Sequence, residues 1–182
     1  MSDLAEIIVR NEESIRAGWT RDMSKAVQRA DLITKAELDE QCGALLRAIV
    51  EGVKTSGPTD VLSSGWSAAR ELLQEISASR ARRGFSPVEV ATFVLSLKRP
   101  LFSAIRETLS KSPDKLFETV WAATELLDRL ALITTETYMA IREAGLPSRS
   151  WGRCVAGRRV DGRAEHSLEL GMPGAQFAPP AA

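Results

Sequence analysis

The sequence predicts an all-α fold: one helical domain of five or six helices over residues 1–145, followed by a disordered or linker-like tail over residues 146–182. Three observations predict this fold. Apolar residues recur at helical spacing through almost all of the first 145 residues, and the apolar–polar alternation typical of strands is absent. In addition, two Ser-Pro pairs, Ser86-Pro87 and Ser112-Pro113, have the composition with which helices begin.

The composition argues against several classes of function. With 182 residues and 44% hydrophobic content, the chain can bury one core. Lys plus Arg and Asp plus Glu number 24 each, so no excess charge is available to hold a nucleic acid or a membrane surface. Cys42 and Cys154 form no CxxC pair, which argues against a zinc site or a disulfide framework. The acidic N-terminus and the lack of an apolar run of roughly 20 residues favour a cytoplasmic protein.

The first two helices are predicted from their apolar stripes. One stripe runs from Leu4 to Trp19. The second helix begins at Thr34, because Thr34 and Glu37 have the spacing of a capping box. Cys42 lies on the apolar face of this helix, so we expect it to be a small buried side chain.

The third helix, predicted from about Leu62, ends in a stretch that raises the question of chemistry. Gly84 is a typical residue for ending a helix, and Ser86 is a typical N-cap with Glu89 three residues later. A nucleophilic serine needs a base, and no histidine is near. Cations are favoured at the carbonyl end of a helix, and the last turn before Gly84 holds three, Arg80, Arg82 and Arg83. The stretch GFSPVE therefore predicts a corner between two helices.

The fourth helix contains Pro100, which cannot donate a hydrogen bond to the carbonyl of Ser96, so we expect a kink or break near residues 98–100. The last helix begins at Pro113 and continues to about Ile141. Its apolar rows are wider than one packing stripe, which predicts either a second interface or deeper burial in the core.

The segment after residue 145 loses the helical period and is rich in Gly, Pro, Ala and Arg, which predicts a disordered or linker-like tail. The only histidine, His166, lies in this tail. The helical domain therefore lacks the imidazole that general-base, triad or metal chemistry most often uses. We expect no enzyme activity, no metal and no cofactor.

Three stretches resemble a known family: GWSAARELL at 65–73, RGFSPVEVATFVLSLKRPLF at 83–102 and VWAATELLDRLALITTETYMAIRE at 120–143. They are similar to the N-terminal domain of RsbR-type proteins, co-antagonists of the RsbT kinase in bacterial stressosomes. The resemblance implies a globin-like fold without haem, a homodimer, and relay of a signal through the last helix to a following STAS or kinase domain. Residues 1–165 contain no histidine that could be a proximal haem ligand, which agrees with a haemless globin-like domain.

Three functions follow as hypotheses. The favoured one is a non-catalytic sensory or regulatory dimerisation module of bacterial stress signalling, with Leu127 and Leu130 in the dimer interface and a STAS-domain or kinase partner. The alternative is a binder of a small apolar ligand, such as a fatty acyl chain, in a pocket lined by Phe93, Leu97 and Trp121. A third, binding of nucleic acid through the arginines, is disfavoured by the zero net charge.

Overall fold

The computed structural model describes residues 3–26 and 32–145, which are helical and contain no strand. All of them belong to one compact unit. The helices are α1 (Asp3–Arg10), α2 (Glu12–Ala26), α3 (Lys35–Ser56), α4 (Ser67–Arg83), α5 (Pro87–Leu95), α6 (Lys98–Thr108) and α7 (Pro113–Gly145), with a 3-10 turn at Ser64–Trp66 before α4. The all-α prediction is confirmed, and the predicted tail over residues 146–182 lies outside the described residues.

The described chain has more helices than predicted because two predicted helices are each divided. The first divides at Asn11, whose side-chain amide and backbone N–H both donate to the carbonyl of Ile7, at 2.8 and 3.1 Å. A side chain that bonds the preceding turn competes with the regular helical bond, so the helix restarts at Glu12.

The second division lies between α5 and α6. Pro100 occupies the first turn of α6, where a missing N–H is tolerated because that turn has no helical acceptor. The backbone N–H of Leu97 donates to the carbonyl of Val94 at 3.1 Å, which closes a tight turn, and α6 begins at the next residue. The predicted break is thus confirmed, a few residues before the proline.

The corner between α4 and α5 has the predicted geometry. Gly84 ends α4 in the left-handed conformation, with φ of 85°. The Ser86 hydroxyl accepts from the Glu89 backbone N–H at 3.2 Å, and the Glu89 carboxylate accepts from the Ser86 N–H at 2.8 Å. Phe85 and Val90 are both buried on either side of the cap. GFSPVE is a capping box at a helix corner, as predicted.

The core is built around two buried tryptophans. Trp19 stacks on Phe93 with ring centroids 5.0 Å apart and donates its indole N–H to the Phe93 carbonyl at 2.7 Å, which joins α2 to α5. Trp66 packs against α3 at Gly52, where a Cβ atom would lie 2.5 Å from the indole ring. Glycine is therefore required at position 52. The 3-10 turn that carries Trp66 also corrects one prediction, because Leu62 precedes α4 and is 74% exposed.

Candidate functional site

The outer face of α7 carries large apolar side chains that are exposed among the residues the structure describes. At 3.6 residues per turn they fall within an arc of about 60° and extend over about 33 Å of the helix. We call this set the outer stripe: Phe117 (69% exposed), Trp121 (59%), Leu132 (63%) and Met139 (46%).

The N-terminal end of the outer stripe is its most aromatic part. Phe117 and Trp121, one turn apart, stack with ring centroids 6.3 Å apart and an interplanar angle of 27°. Together with Glu118 they line a shallow surface depression. In the middle of the stripe Asp128 forms an ion pair with Lys98 of α6 at 2.7 Å. The outer stripe is thus two apolar patches separated by a charged residue.

The structure places the two predicted interface leucines elsewhere. Leu127 and Leu130 are both fully buried in the core cluster, on the side of α7 that packs against α4 and α5. Their side chains are covered by their own chain, so in this conformation they offer no surface to a second copy. The exposed apolar residues lie on the opposite side of α7.

The structure also separates the three residues predicted to line an apolar pocket. Phe93 and Leu97 are fully buried in the core, and the Phe93 ring is packed against Trp19. Trp121 lies at the surface, on the outer stripe. The structure therefore does not bring these three side chains together around one cavity.

The feature least expected from the sequence is the burial of Arg80, which is 2% exposed. Its guanidinium carbon lies 4.0 Å from the centroid of the Phe93 ring and 5.7 Å from that of Phe85. Nη2 donates to Oε1 of Gln41 on α3 at 3.0 Å. Burial lowers the pKa of Arg80 to about 10, so the side chain remains a cation at neutral pH.

The sequence groups Arg80 with Arg82 and Arg83 at the end of α4, yet only Arg80 is buried. The signal that distinguishes it is helical register. Arg80 follows Ile76 by four residues, and Leu73 and Ile76 are both buried on the same face of α4. The preference of cations for helix ends is satisfied by Arg82 and Arg83 as well as by Arg80, so it does not distinguish the buried arginine from the exposed ones.

Cys42 of α3 lies in the same part of the core and is fully buried. Burial raises the pKa of its thiol to about 12, with Arg80 among the nearby charges that oppose this effect. The thiol is therefore protonated at neutral pH, as expected of a packing residue.

Two further properties bear on the class of function. Within residues 3–26 and 32–145, no three His, Cys, Asp or Glu side chains are grouped as metal ligands would be. None of the helices over those ranges combines the length and the apolar content of a membrane span.

A family model described as the RsbT co-antagonist protein rsbRD N-terminal domain matches residues 13–151. The chain belongs to this family. The resemblance inferred from the sequence is thereby confirmed, and the chain contains an RsbR-type N-terminal domain of stress signalling. Comparison with curated proteins and with solved structures found no match. The outer stripe and Arg80 both lie within the matched residues of this RsbRD N-terminal domain.

Proposed function

We propose that this RsbRD N-terminal domain is a non-catalytic regulatory dimerisation module of the bacterial cytoplasm. In this proposal the outer stripe of α7 packs against the same stripe of a second copy, and α7 relays a signal to a STAS-domain or kinase partner. The observation that carries the proposal is the outer stripe, four large apolar side chains exposed on one face of one helix.

The physical argument rests on the cost of exposing apolar surface. Scattered apolar residues are normal at a protein surface, whereas the outer stripe gathers its large apolar side chains into two patches along one face of α7, which is typical of an interaction site. In a two-fold symmetric dimer the same patch meets itself, so a single helix can supply both halves of the interface. The stacked pair of Phe117 and Trp121 supplies the kind of aromatic residue that dominates the energy of interfaces.

The non-catalytic part of the proposal is supported by the roles of the reactive side chains. The Ser86 hydroxyl is engaged in a helix cap with Glu89. The Cys42 thiol is protonated and buried, whereas a reactive cysteine is a thiolate at an accessible position. Each of these two side chains thus has a structural explanation.

Light scattering on the full chain tests the interface. We expect a dimer at tens of micromolar, and Trp121→Glu should raise the dissociation constant at least about 100-fold, because the dimer would bury an unpaired carboxylate. The matched control is Leu62→Glu, since Leu62 is equally apolar and 74% exposed but lies outside the outer stripe. Circular dichroism should show that both variants remain helical.

A wild-type chain that is monomeric at these concentrations would contradict the proposal, as would equal effects of the two substitutions. Native mass spectrometry of the same sample separates the alternatives, because it reports both the subunit count and any retained molecule. A monomer that carries an apolar compound would favour the ligand-binding hypothesis instead.

A further inference from the structure

A polar cleft of about 440 Å³ lies between α2 and α6, and none of its lining residues belongs to the outer stripe. Its floor is closed where the two helices touch, because a Cβ atom at the buried Gly18 would lie only 2.9 Å from Cβ of Pro100. Ala104, which is also buried, continues this floor. The volume is in the range of small-molecule sites. We call this feature the α2–α6 cleft.

Three cations from two helices converge on one end of the α2–α6 cleft. Arg21 and Lys25 lie one turn apart on α2, where like charges repel each other, and Arg99 lies in the first turn of α6. Lys25 and Arg99 also line a neighbouring depression together, so they lie close to each other across the two helices. The Asp22 carboxylate lies 3.9 Å from Nε of Arg21 and offsets one of these charges. This end of the cleft therefore has a net positive charge that an anion would neutralise.

The opposite end of the α2–α6 cleft has a different chemistry. Glu107 lies about two turns after Arg99 on α6, which is about 12 Å along the helix axis. Ser103, one turn before Glu107, and Ser14 of α2 add two hydroxyl groups to the lining. The cleft thus presents guanidinium and ammonium donors at one end and a carboxylate with hydroxyls at the other. This arrangement matches a molecule with an anionic group at one end and a hydroxyl or ammonium group at the other.

We propose that the α2–α6 cleft binds a small phosphorylated molecule that carries a hydroxyl or ammonium group at its other end. Arg21, Lys25 and Arg99 bind the phosphate, since guanidinium groups form paired, charge-assisted hydrogen bonds with phosphate oxygens and lysine adds a compact positive charge. A phosphate carries more charge than a carboxylate and has three acceptor oxygens, so it can engage cations that approach from two helices at once. Glu107 accepts a hydrogen bond from the far end of the molecule.

Isothermal titration calorimetry of the full chain tests this site with two probes, inorganic phosphate and glucosamine 6-phosphate, at an ionic strength held constant with sodium chloride. We expect saturable binding of both probes, and tighter binding of glucosamine 6-phosphate. Arg99→Gln should raise both dissociation constants about 10-fold or more, because the phosphate loses a charge-assisted hydrogen bond. The matched control is Arg106→Gln, which removes an exposed arginine of α6 that does not line the cleft and should leave both constants unchanged.

Glu107→Gln separates the two ends of the site. It should weaken the binding of glucosamine 6-phosphate about 10-fold and leave inorganic phosphate bound at least as tightly as in wild type. A lack of saturable binding at millimolar glucosamine 6-phosphate would overturn the proposal, as would equal effects of Arg99→Gln and Arg106→Gln. Equal losses for the two probes in Glu107→Gln would contradict the orientation of the molecule in the cleft. The Trp121→Glu variant should retain binding, so this inference is tested separately from the dimer.

Discussion

The Ser86 hydroxyl stabilises the corner between α4 and α5 through a helix cap. Ser86→Ala should reduce the free energy of unfolding by about 1 kcal/mol, because the Glu89 backbone N–H loses its acceptor. Urea unfolding measures this change. Ser86→Thr keeps the acceptor oxygen and should recover most of the loss, whereas equal losses in the two variants would contradict the capping role.

Gly52 is required by the close approach of Trp66. In Gly52→Ala the new methyl group would lie 2.5 Å from the indole ring, so the ring must move and the free energy of unfolding should fall by about 1–3 kcal/mol. Gly43→Ala is the control in the same helix, since its nearest neighbour at 3.2 Å is the flexible side chain of Arg16. Thermal unfolding should show a clearly smaller shift for the control.

Cys42 predicts a specific dependence of stability on pH. Its pKa is raised in the folded protein from an ordinary 9.0 to about 12, so folding favours the protonated thiol. The stabilisation is complete below pH 9.0 and is lost as the pH rises toward the folded value. The stability advantage of wild type over Cys42→Ala should therefore shrink by about 1.4 kcal/mol between about pH 8 and pH 10. An unchanged difference in urea unfolding would show that the thiol is accessible.

For single residues, the sequence predicts those interactions that depend on near neighbours along the chain. Ser86 and Glu89 are three residues apart, so their cap can be read from the sequence. Arg80 is different, because Gln41 and Phe93 come from other helices, 39 residues before and 13 after it. Local rules assign Arg80 to a solvated helix end, and only the packing of α3, α4 and α5 determines that it is buried.

Among the elements, α7 has two apolar sides with opposite environments. Leu130→Glu should abolish the fold, because it places a carboxylate in the fully buried side that packs on α4 and α5. Leu132→Glu, two residues further on, should leave the helix content unchanged, because Leu132 is 63% exposed. Circular dichroism distinguishes the outcomes, and a helical Leu130→Glu monomer would restore the sequence-based assignment of this leucine to an interface.

The wide apolar surface of α7 is evident in the sequence, but the assignment of its two sides is not. Leu127 and Leu130 match a packing stripe as well as an interface row, and helical period alone does not decide between them. The helices that cover them, α4 and α5, precede α7 by many residues. They fix the rotation of α7 about its own axis through hydrogen bonds such as the one from the Ser77 hydroxyl to the Thr134 carbonyl. Helix starts, by contrast, are local, and those at Thr34, Ser86 and Pro113 were predictable.

For the molecule as a whole, the buried apolar residues of the described ranges form one hydrophobic core. We expect a chain truncated after Gly145 to keep its thermal midpoint within a few degrees of the full chain, since a segment that buries little contributes little stability. Differential scanning calorimetry measures this. A much lower midpoint would mean that residues 146–182 pack on the helices and that the predicted boundary is misplaced.

The phenol of Tyr138 on α7 donates to the carbonyl of Phe85 at 2.7 Å, and the ring of Phe85 borders Arg80. This single residue therefore joins the far half of α7 to the surroundings of the buried cation. With 33 residues, α7 is a rod about 50 Å long. A rotation of only about 5° around one end would displace the other by about 4 Å at that length. A small rotation of α7 is thus amplified along its length, and Tyr138 attaches the helix to the core next to Arg80.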